Sequence, residues 1–169
     1  MWYVFHTDWG WSAYQENDGL LQQLILPLEV SRHEFLSRHA LIPTDTEILT
    51  RPVAGLAAQI QAYFSGKIIL RWEANLNLRR FSPFARGILE LAAAIPYGET
   101  RTYGQLAGRA GSPGAARAVG RVMASNPFPL VVPCHRVVAV NGPAGFSAPG
   151  GVTYKQALLE LEQKGLAAH

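Results

Sequence analysis

The chain has 169 residues, 49% of them apolar and 16% charged, a length that suits one large domain or two small ones and a composition that supports a packed core rather than disorder. No apolar run approaches the ~20 residues that span a bilayer, and Met1–His6 lacks the basic and long apolar regions of a secretory signal, so neither a membrane partner nor export is expected. The single cysteine excludes an internal disulfide and a cysteine-based zinc site, which makes a reducing, cytoplasmic setting the expectation, and the net charge of +3 is too small to identify a partner by itself.

The first third reads as β. Trp2–His6 and Trp11–Tyr14 are short aromatic-rich runs, Asn17-Asp18-Gly19 is a hairpin-type turn signal, and Leu20–Leu28 follows as an apolar run. Helical periodicity takes over at Pro52, where Leu56, Ile60, Tyr63 and Phe64 share one face and Gly66 closes the segment. Ile68–Leu78 is extended or irregular. Ser82-Pro83 has the character of an N-cap and a first helical residue, opening a helix through Ala94 that ends at Pro96-Tyr97-Gly98. A domain boundary is therefore expected near Leu76–Phe81, dividing a strand-rich domain at 1–80 from a mostly helical one at 81–169.

In the second half, Thr102 to about Ala110 fits a short helix with Gly111 after it, and Ser112-Pro113 starts another that runs to about Ser125. Two short helices joined by a tight glycine-containing turn make a helix-turn-helix pattern, which many all-α proteins also contain. Ala115, Ala116, Ala118, Gly120 and Ala124 make the second helix small-sided, which suits close packing in a core as well as close approach to another surface. In the last helix Thr153-x-x-Gln156 is a capping-box pattern and Gly165 suits the C-terminal cap. On a helical wheel Leu158, Leu159 and Leu161 define the apolar arc, Glu162 falls inside it and Glu160 points to solvent. An acid on an apolar stripe needs a donor, unless it lies in a frayed and solvated helix end.

Charge is unevenly placed. Residues 1–81 carry 7 basic and 8 acidic side chains, residues 82–169 carry 8 and 4. No acid lies between Glu99 and Glu160, a gap that holds Arg101, Arg109, Arg117, Arg121, Arg136 and Lys155. Such a stretch fits a phosphate backbone, and equally a solvated basic face.

The chemistry points to residues 126–138, Asn-Pro-Phe-Pro-Leu-Val-Val-Pro-Cys-His-Arg-Val-Val. Three prolines stiffen the approach to Cys134, so its thiol is held on a rigid segment. Adjacent side chains on an extended chain point apart, so a water would carry the thiol proton to His135, with Glu162 orienting the imidazole in a nucleophile–base–orienter relay. A thiolate is soft and strongly nucleophilic and forms a stable thioether, which suits displacement at saturated carbon. Taken singly, a lone cysteine is more often a small buried hydrophobe.

Three blocks of sequence stand out. Ile95-Pro96-Tyr97-Gly98-Glu99-Thr100-Arg101-Thr102-Tyr103-Gly104-Gln105-Leu106-Ala107 is the first, Ala115-Ala116-Arg117-Ala118-Val119-Gly120 the second, and Asn126-Pro127 with Pro133-Cys134-His135-Arg136-Val137-Val138 the third. In order and spacing they resemble the O6-alkylguanine-DNA alkyltransferases, strongly over residues 82–165 and loosely over 1–81. The resemblance implies an α/β (α+β) protein: a strand-rich, ribonuclease H-like N-terminal domain and a mostly helical C-terminal domain with a helix-turn-helix. It implies DNA repair by one irreversible transfer of a methyl or larger alkyl group from O6 of guanine to Cys134, with O4 of thymine as a candidate second target. It also implies a monomer acting on double-stranded DNA that contains O6-alkylguanine, without cofactor or metal.

Position by position, the resemblance makes Cys134 the alkyl acceptor, His135 and Glu162 its activating pair, and Asn126 the bridge across the turn beside it. Tyr103 would donate to guanine N3 and help rotate the nucleotide, and Arg117 would fill the stack in place of the flipped base. The helix Pro113–Ser125 would lie in the minor groove, where small side chains fit, and extrusion of a poorly paired base gives the thiol access. Thr102, Tyr103, Ala116, Arg117, Gly120 and Arg136 would contact DNA; Val137, Phe146 and Ser147 would line the base pocket. The sequence departs from the family where a tyrosine and Ser-Gly-Gly are usual: here it reads Gly145-Phe146-Ser147-Ala148-Pro149-Gly150-Gly151. The helix after Ser82 also lacks the usual tryptophan, and the N-terminal zinc ligands of some relatives are absent. Three other classes compete: an alkyltransferase-like binding protein, which would lack Cys134; a thiol hydrolase or acyltransferase, which would leave Arg117 unexplained; and a major-groove regulator, for which Ala115, Ala116, Ala118 and Gly120 are poor base readers.

Overall fold

The computed structural model describes residues 1–50 and 54–168, and its chain divides into two compact units, Met1–Asn77 and Leu78–His169. In the first unit β1 (Trp2–Thr7), β2 (Gly10–Asn17) and β3 (Leu20–Leu28) form an antiparallel sheet in sequence order. Asp18 (φ 53°) and Gly19 (φ 70°) join β2 to β3, the paired left-handed conformation of a two-residue hairpin turn. The β1–β2 turn depends on Gly10: at φ 111°, an added Cβ would sit 2.3 Å from the Leu28 carbonyl oxygen. Val4, Ala13, Phe35 and Ile42 form one buried cluster, with Trp2, Trp11, Ile25 and Leu28 packed around it.

Phe35 comes from α1 (Arg32–Arg38), a short helix that the apolar pattern does not predict. Its start is fixed locally, because the Ser31 hydroxyl accepts from the Glu34 amide. The helix expected around Leu56, Ile60, Tyr63 and Phe64 is α2 (Gly55–Phe64), and it buries all four. Gly66 ends it at φ 87°, and Lys67 N–H returns to Ala62 O at 3.0 Å. The helix start read at Pro52 lies outside the described residues.

The second unit holds α3 (Pro83–Ala93), β4 (Arg101–Thr102), α4 (Tyr103–Arg109), α5 (Ala116–Ala124), β5 (Val137–Val138) and α6 (Gly151–Ala167). The Ser82 N-cap forms as expected, accepting from Ala85 N–H. At α4, Thr102 and Gln105 make a reciprocal capping box. β4 and β5 pair in parallel, Arg101 with Val137 and Thr102 with Val138. The unit is therefore mixed α/β, with α3, α4 and α5 packed on one another.

Two helix ends differ from the sequence expectation. α5 begins at Ala116 rather than Pro113, because Gly114 takes φ 92° and the Ser112–Ala115 segment closes as a turn. α6 begins at Gly151 on a left-handed Gly150, which puts Thr153 inside the helix and leaves the capping box unmade. Its end is also later: Gly165 is buried within the helix, which runs to Ala167. No helix among the described residues is long and apolar enough to cross a membrane.

Candidate active site

The Pro133–Val137 segment brings Cys134, His135 and Arg136 into one tight 3-10 turn, in which Arg136 N–H donates to Pro133 O at 2.8 Å. All three side chains are buried. Asn126 braces this turn from the end of α5: its amide donates to Val132 O at 2.9 Å while its carbonyl accepts from Phe128 N–H at 3.0 Å.

Glu162 is fully buried on α6, among Lys155, Leu158 and Gly165. The donor that an acid on this stripe requires is supplied several times over. His135 Nε2 lies 2.7 Å from Oε1, Arg136 reaches the carboxylate through Nε at 3.0 and 3.1 Å and through a terminal nitrogen at 2.8 Å, and Gly98 N–H donates at 2.9 Å. Burial raises the Glu162 pKa, yet the bonds and charges of His135 and Arg136 outweigh it and hold the carboxyl at about 2. Burial is the main reason the His135 imidazole lies below its ordinary value, against the pull of Glu162. It also pushes the Cys134 thiol up, opposed by hydrogen bonding from Asn126 and by the charge of Lys155. At rest the pair is a thiol and a neutral imidazole.

Cys134 opens onto a cavity of about 240 Å³ that Tyr103, Gly120, Phe146 and Ser147 line, together with Met123, Ala124 and Gly145. The wall is mostly apolar, and Phe146 stacks against Tyr154 with ring centroids 6.3 Å apart. The Tyr103 hydroxyl donates to Ala144 O at 3.0 Å, tying α4 to the loop ahead of α6. Sequence reasoning missed Met123 and Ala124 in this wall; helical spacing from Gly120 carries the signal for both, which lie three and four residues on.

Two residues assigned to the DNA contact and the base pocket lie in the interior. Arg136, expected at DNA, is 5% exposed and committed to Glu162 and, through a 2.7 Å bond, to Ile95 O. Its guanidinium completes a buried ion pair and is not a surface cation. Val137, expected in the base pocket, is fully buried in β5, where it pairs with Arg101. Lys155, counted in the basic stretch, is also buried. Arg109, Arg117 and Arg121 are exposed, Ala116 is half-buried, and Thr102 uses its hydroxyl as the α4 cap. Among the described residues no three His, Cys, Asp or Glu side chains gather into a metal-holding group.

Residues 83–164 match the family described as 6-O-methylguanine DNA methyltransferase, DNA binding domain. A methylated-DNA–protein-cysteine methyltransferase of Mycolicibacterium paratuberculosis is 45% identical over 68% of this chain and 67% of its own length. Its counterpart in Methanosarcina mazei is 38% identical over 76% of this chain and 80% of its own. The crystal structure of Mycobacterium tuberculosis OGT in complex with DNA superposes with a TM-score of 0.74 at 34% identity, covering 97% of this chain and 93% of that one. With a single thiol set beside a buried His–Glu pair inside residues 83–164, the chain belongs to the methylated-DNA–protein-cysteine methyltransferase family.

Proposed function

We propose that this protein repairs DNA by moving an alkyl group from O6 of guanine onto Cys134, once per molecule. The observation that carries the proposal is the sole cysteine lining an apolar cavity while its neighbour His135 is hydrogen-bonded to a buried, ionised Glu162. The thiol proton passes through water to His135, whose charged form Glu162 stabilises. Sulfur attacks the alkyl carbon, the C–S bond forms as the O6–C bond breaks, and the departing base takes up a proton in place of the alkyl group. Tyr103 supplies it at N3, its hydroxyl exchanging Ala144 O for the base, and the proton taken by His135 returns through water to the Tyr103 oxygen. The thioether is stable, so the reaction stops after one turnover, and none of these steps calls for a cofactor.

Residues 1–80 form a ribonuclease H-like domain, which the antiparallel β1–β3 sheet followed by helices supports. Residues 81–169 bind DNA through α4 and α5 as a helix-turn-helix, with α5 in the minor groove of double-stranded DNA. Arg117, exposed on α5, fills the space of the extruded base, and Thr102, Ala116 and Gly120 sit against the backbone. The protein acts as a monomer in a reducing, cytoplasmic compartment, where a free thiol persists.

The direct test is intact-protein mass after mixing with a duplex carrying one O6-methylguanine. A gain of one methylene, mapped to the Cys134 peptide and saturating at one group per molecule, is the expected outcome. Cys134→Ala is expected to abolish the gain and keep the binding; full transfer by that variant sinks the mechanism.

A further inference from the structure

Lys155 has no part in the mechanism above, yet it is 0% exposed. Its Nζ donates to three carbonyl oxygens, Val137 at 2.6 Å, Ala144 at 3.0 Å and Gly145 at 3.3 Å. An ammonium has three N–H donors, and three acceptors meet them; a neutral amine would turn its lone pair toward one of these carbonyls. The geometry therefore selects the charged form. Carbonyl dipoles solvate that charge without neutralising it. Among the described residues no carboxylate pairs with Lys155, and Glu162, their one buried acid, is committed to His135 and Arg136.

The cation sits directly behind the pocket. Nζ lies 5.7 Å from the Tyr103 ring centroid and bonds Gly145, and both residues line the cavity with Cys134. Five other groups near the thiol can change charge or carry it: Tyr103 on α4, Tyr154 and Glu162 on α6, and His135 and Arg136 in the 3-10 turn. Glu162 and Arg136 offset each other, while the two tyrosines and His135 are neutral at rest. Before alkyl transfer, with the tyrosines neutral, an ionised Cys134 sulfur is the uncompensated anion of these surroundings.

We propose that Lys155 is the counter-cation of the Cys134 thiolate and, by holding the Ala144–Gly145 wall, a positioning residue for alkyl transfer. When the thiol proton leaves for His135, the sulfur's negative charge meets Lys155. When the C–S bond forms, the electron pair of the broken O6–C bond carries that charge to the departing base, leaving Lys155 beside a neutral thioether. The electrostatics run both ways: Lys155 favours the thiolate, and the thiolate favours the ammonium against burial. The use made of the thiolate rests on the alkyl-transfer proposal; the pairing does not.

Because Cys134 is the sole cysteine, the ultraviolet absorbance of its thiolate can be titrated in the whole protein, with Cys134→Ser subtracting the tyrosines. Lys155→Met is expected to raise the ionisation midpoint by about one pH unit or more, the effect of removing a nearby opposite charge. Lys155→Arg keeps the charge but not the three-carbonyl fit, so its midpoint stays close to that of the wild type while transfer from duplex DNA slows. A folded Lys155→Met with an unchanged midpoint overturns the proposal. If Lys155→Met does not fold, Lys155→Arg decides: a midpoint raised by a full unit overturns it, and a retained midpoint with slowed transfer supports it. The titration uses no DNA. A wild-type protein that accepts no methyl group from the duplex would sink the alkyl-transfer mechanism and leave the titration to decide the pairing separately.

Discussion

Two charged side chains, Glu162 and Lys155, are buried two turns apart on one stripe of α6, and they are treated in opposite ways. Glu162 is neutralised where it stands. Arg136 grips it along one edge, His135 meets Oε1, and the Gly98 amide takes Oε2. Lys155 receives only carbonyl dipoles. Desolvating a charge costs several kcal/mol, and a matched ion pair can offset that cost, whereas dipoles alone leave a net charge inside. The first arrangement fixes geometry: a saturated carboxylate cannot rotate, so the imidazole bonded to it cannot either. The second stores an electrostatic bias beside the nucleophile. One helix thus supplies a rigid part and a charged part to the same site.

The comparison is most easily broken at Glu162. Glu162→Ala leaves the Arg136 guanidinium buried without its carboxylate, and the expected loss is about 3–5 kcal/mol of stability. Glu162→Gln keeps the shape and part of the hydrogen bonding, so it should lose less. Denaturant unfolding with far-ultraviolet circular dichroism measures both; an Ala variant as stable as the wild type would show that the network contributes nothing.

The acid limb of stability comes next. Glu162 lies at about 2 in the folded protein against an ordinary 4.5, so its contribution is complete above pH 4.5 and drains away as pH falls toward 2, on the order of 3 kcal/mol in all. His135 works in the same direction at higher pH. Its folded value is below the ordinary 6.5, so the unfolded chain takes up a proton that the folded chain resists, and stability declines as pH drops below 6.5. Unfolding followed across pH should therefore show two successive declines, and Glu162→Gln should remove the lower one. A lower limb unchanged in that variant would place its origin elsewhere.

Arg136→Lys sharpens the comparison with a smaller effect. A lysine keeps the charge but cannot span both carboxylate oxygens and Ile95 O, so about 2 kcal/mol of stability is expected to go. The rate of transfer should fall as well, because His135 loses the fixed partner that orients it. A variant with wild-type rate and stability would mean that charge alone suffices.

How much of this was legible in the sequence depended on distance along the chain. The β2–β3 hairpin, the Ser82 cap of α3 and the apolar face of α2 were readable because turn chemistry and periodicity act within a few residues. Glu162 was readable as an acid in need of a donor, since the wheel is local too. Lys155 was available by the same arithmetic, seven residues earlier on the same stripe, but a lysine beside a basic stretch suggests a surface. Arg136 misled for that reason, and its partner lies 26 residues away. β4 and β5, two residues each, are held by parallel pairing across 36 positions and leave no pattern of their own. Pro113 alone suggests an earlier start for α5, but the positive φ of Gly114 ends any regular run there.

The smallest effect on stability is expected at Arg117, which separates the basic residues that build the site from those that face outward. Of the six cations in the acid-free stretch, Arg136 and Lys155 are interior, and Arg101 bonds Glu99 at 2.7 Å. Arg117 is exposed on α5 beside half-buried Ala116 and Ala118. Arg117→Ala should change stability by no more than about 0.5 kcal/mol, the ordinary range for a surface site. Its effect should fall on the substrate form instead. If the side chain occupies the gap left by an extruded base, transfer from duplex DNA must slow more than transfer from the free alkylated base, which needs no extrusion. Equal loss with both substrates would assign Arg117 to general charge attraction, and that would also soften with salt for the two substrates in different degree, since only the duplex carries a counterion atmosphere. Measuring both rates at two salt concentrations therefore distinguishes a side chain that fills the base stack from one that merely attracts phosphate.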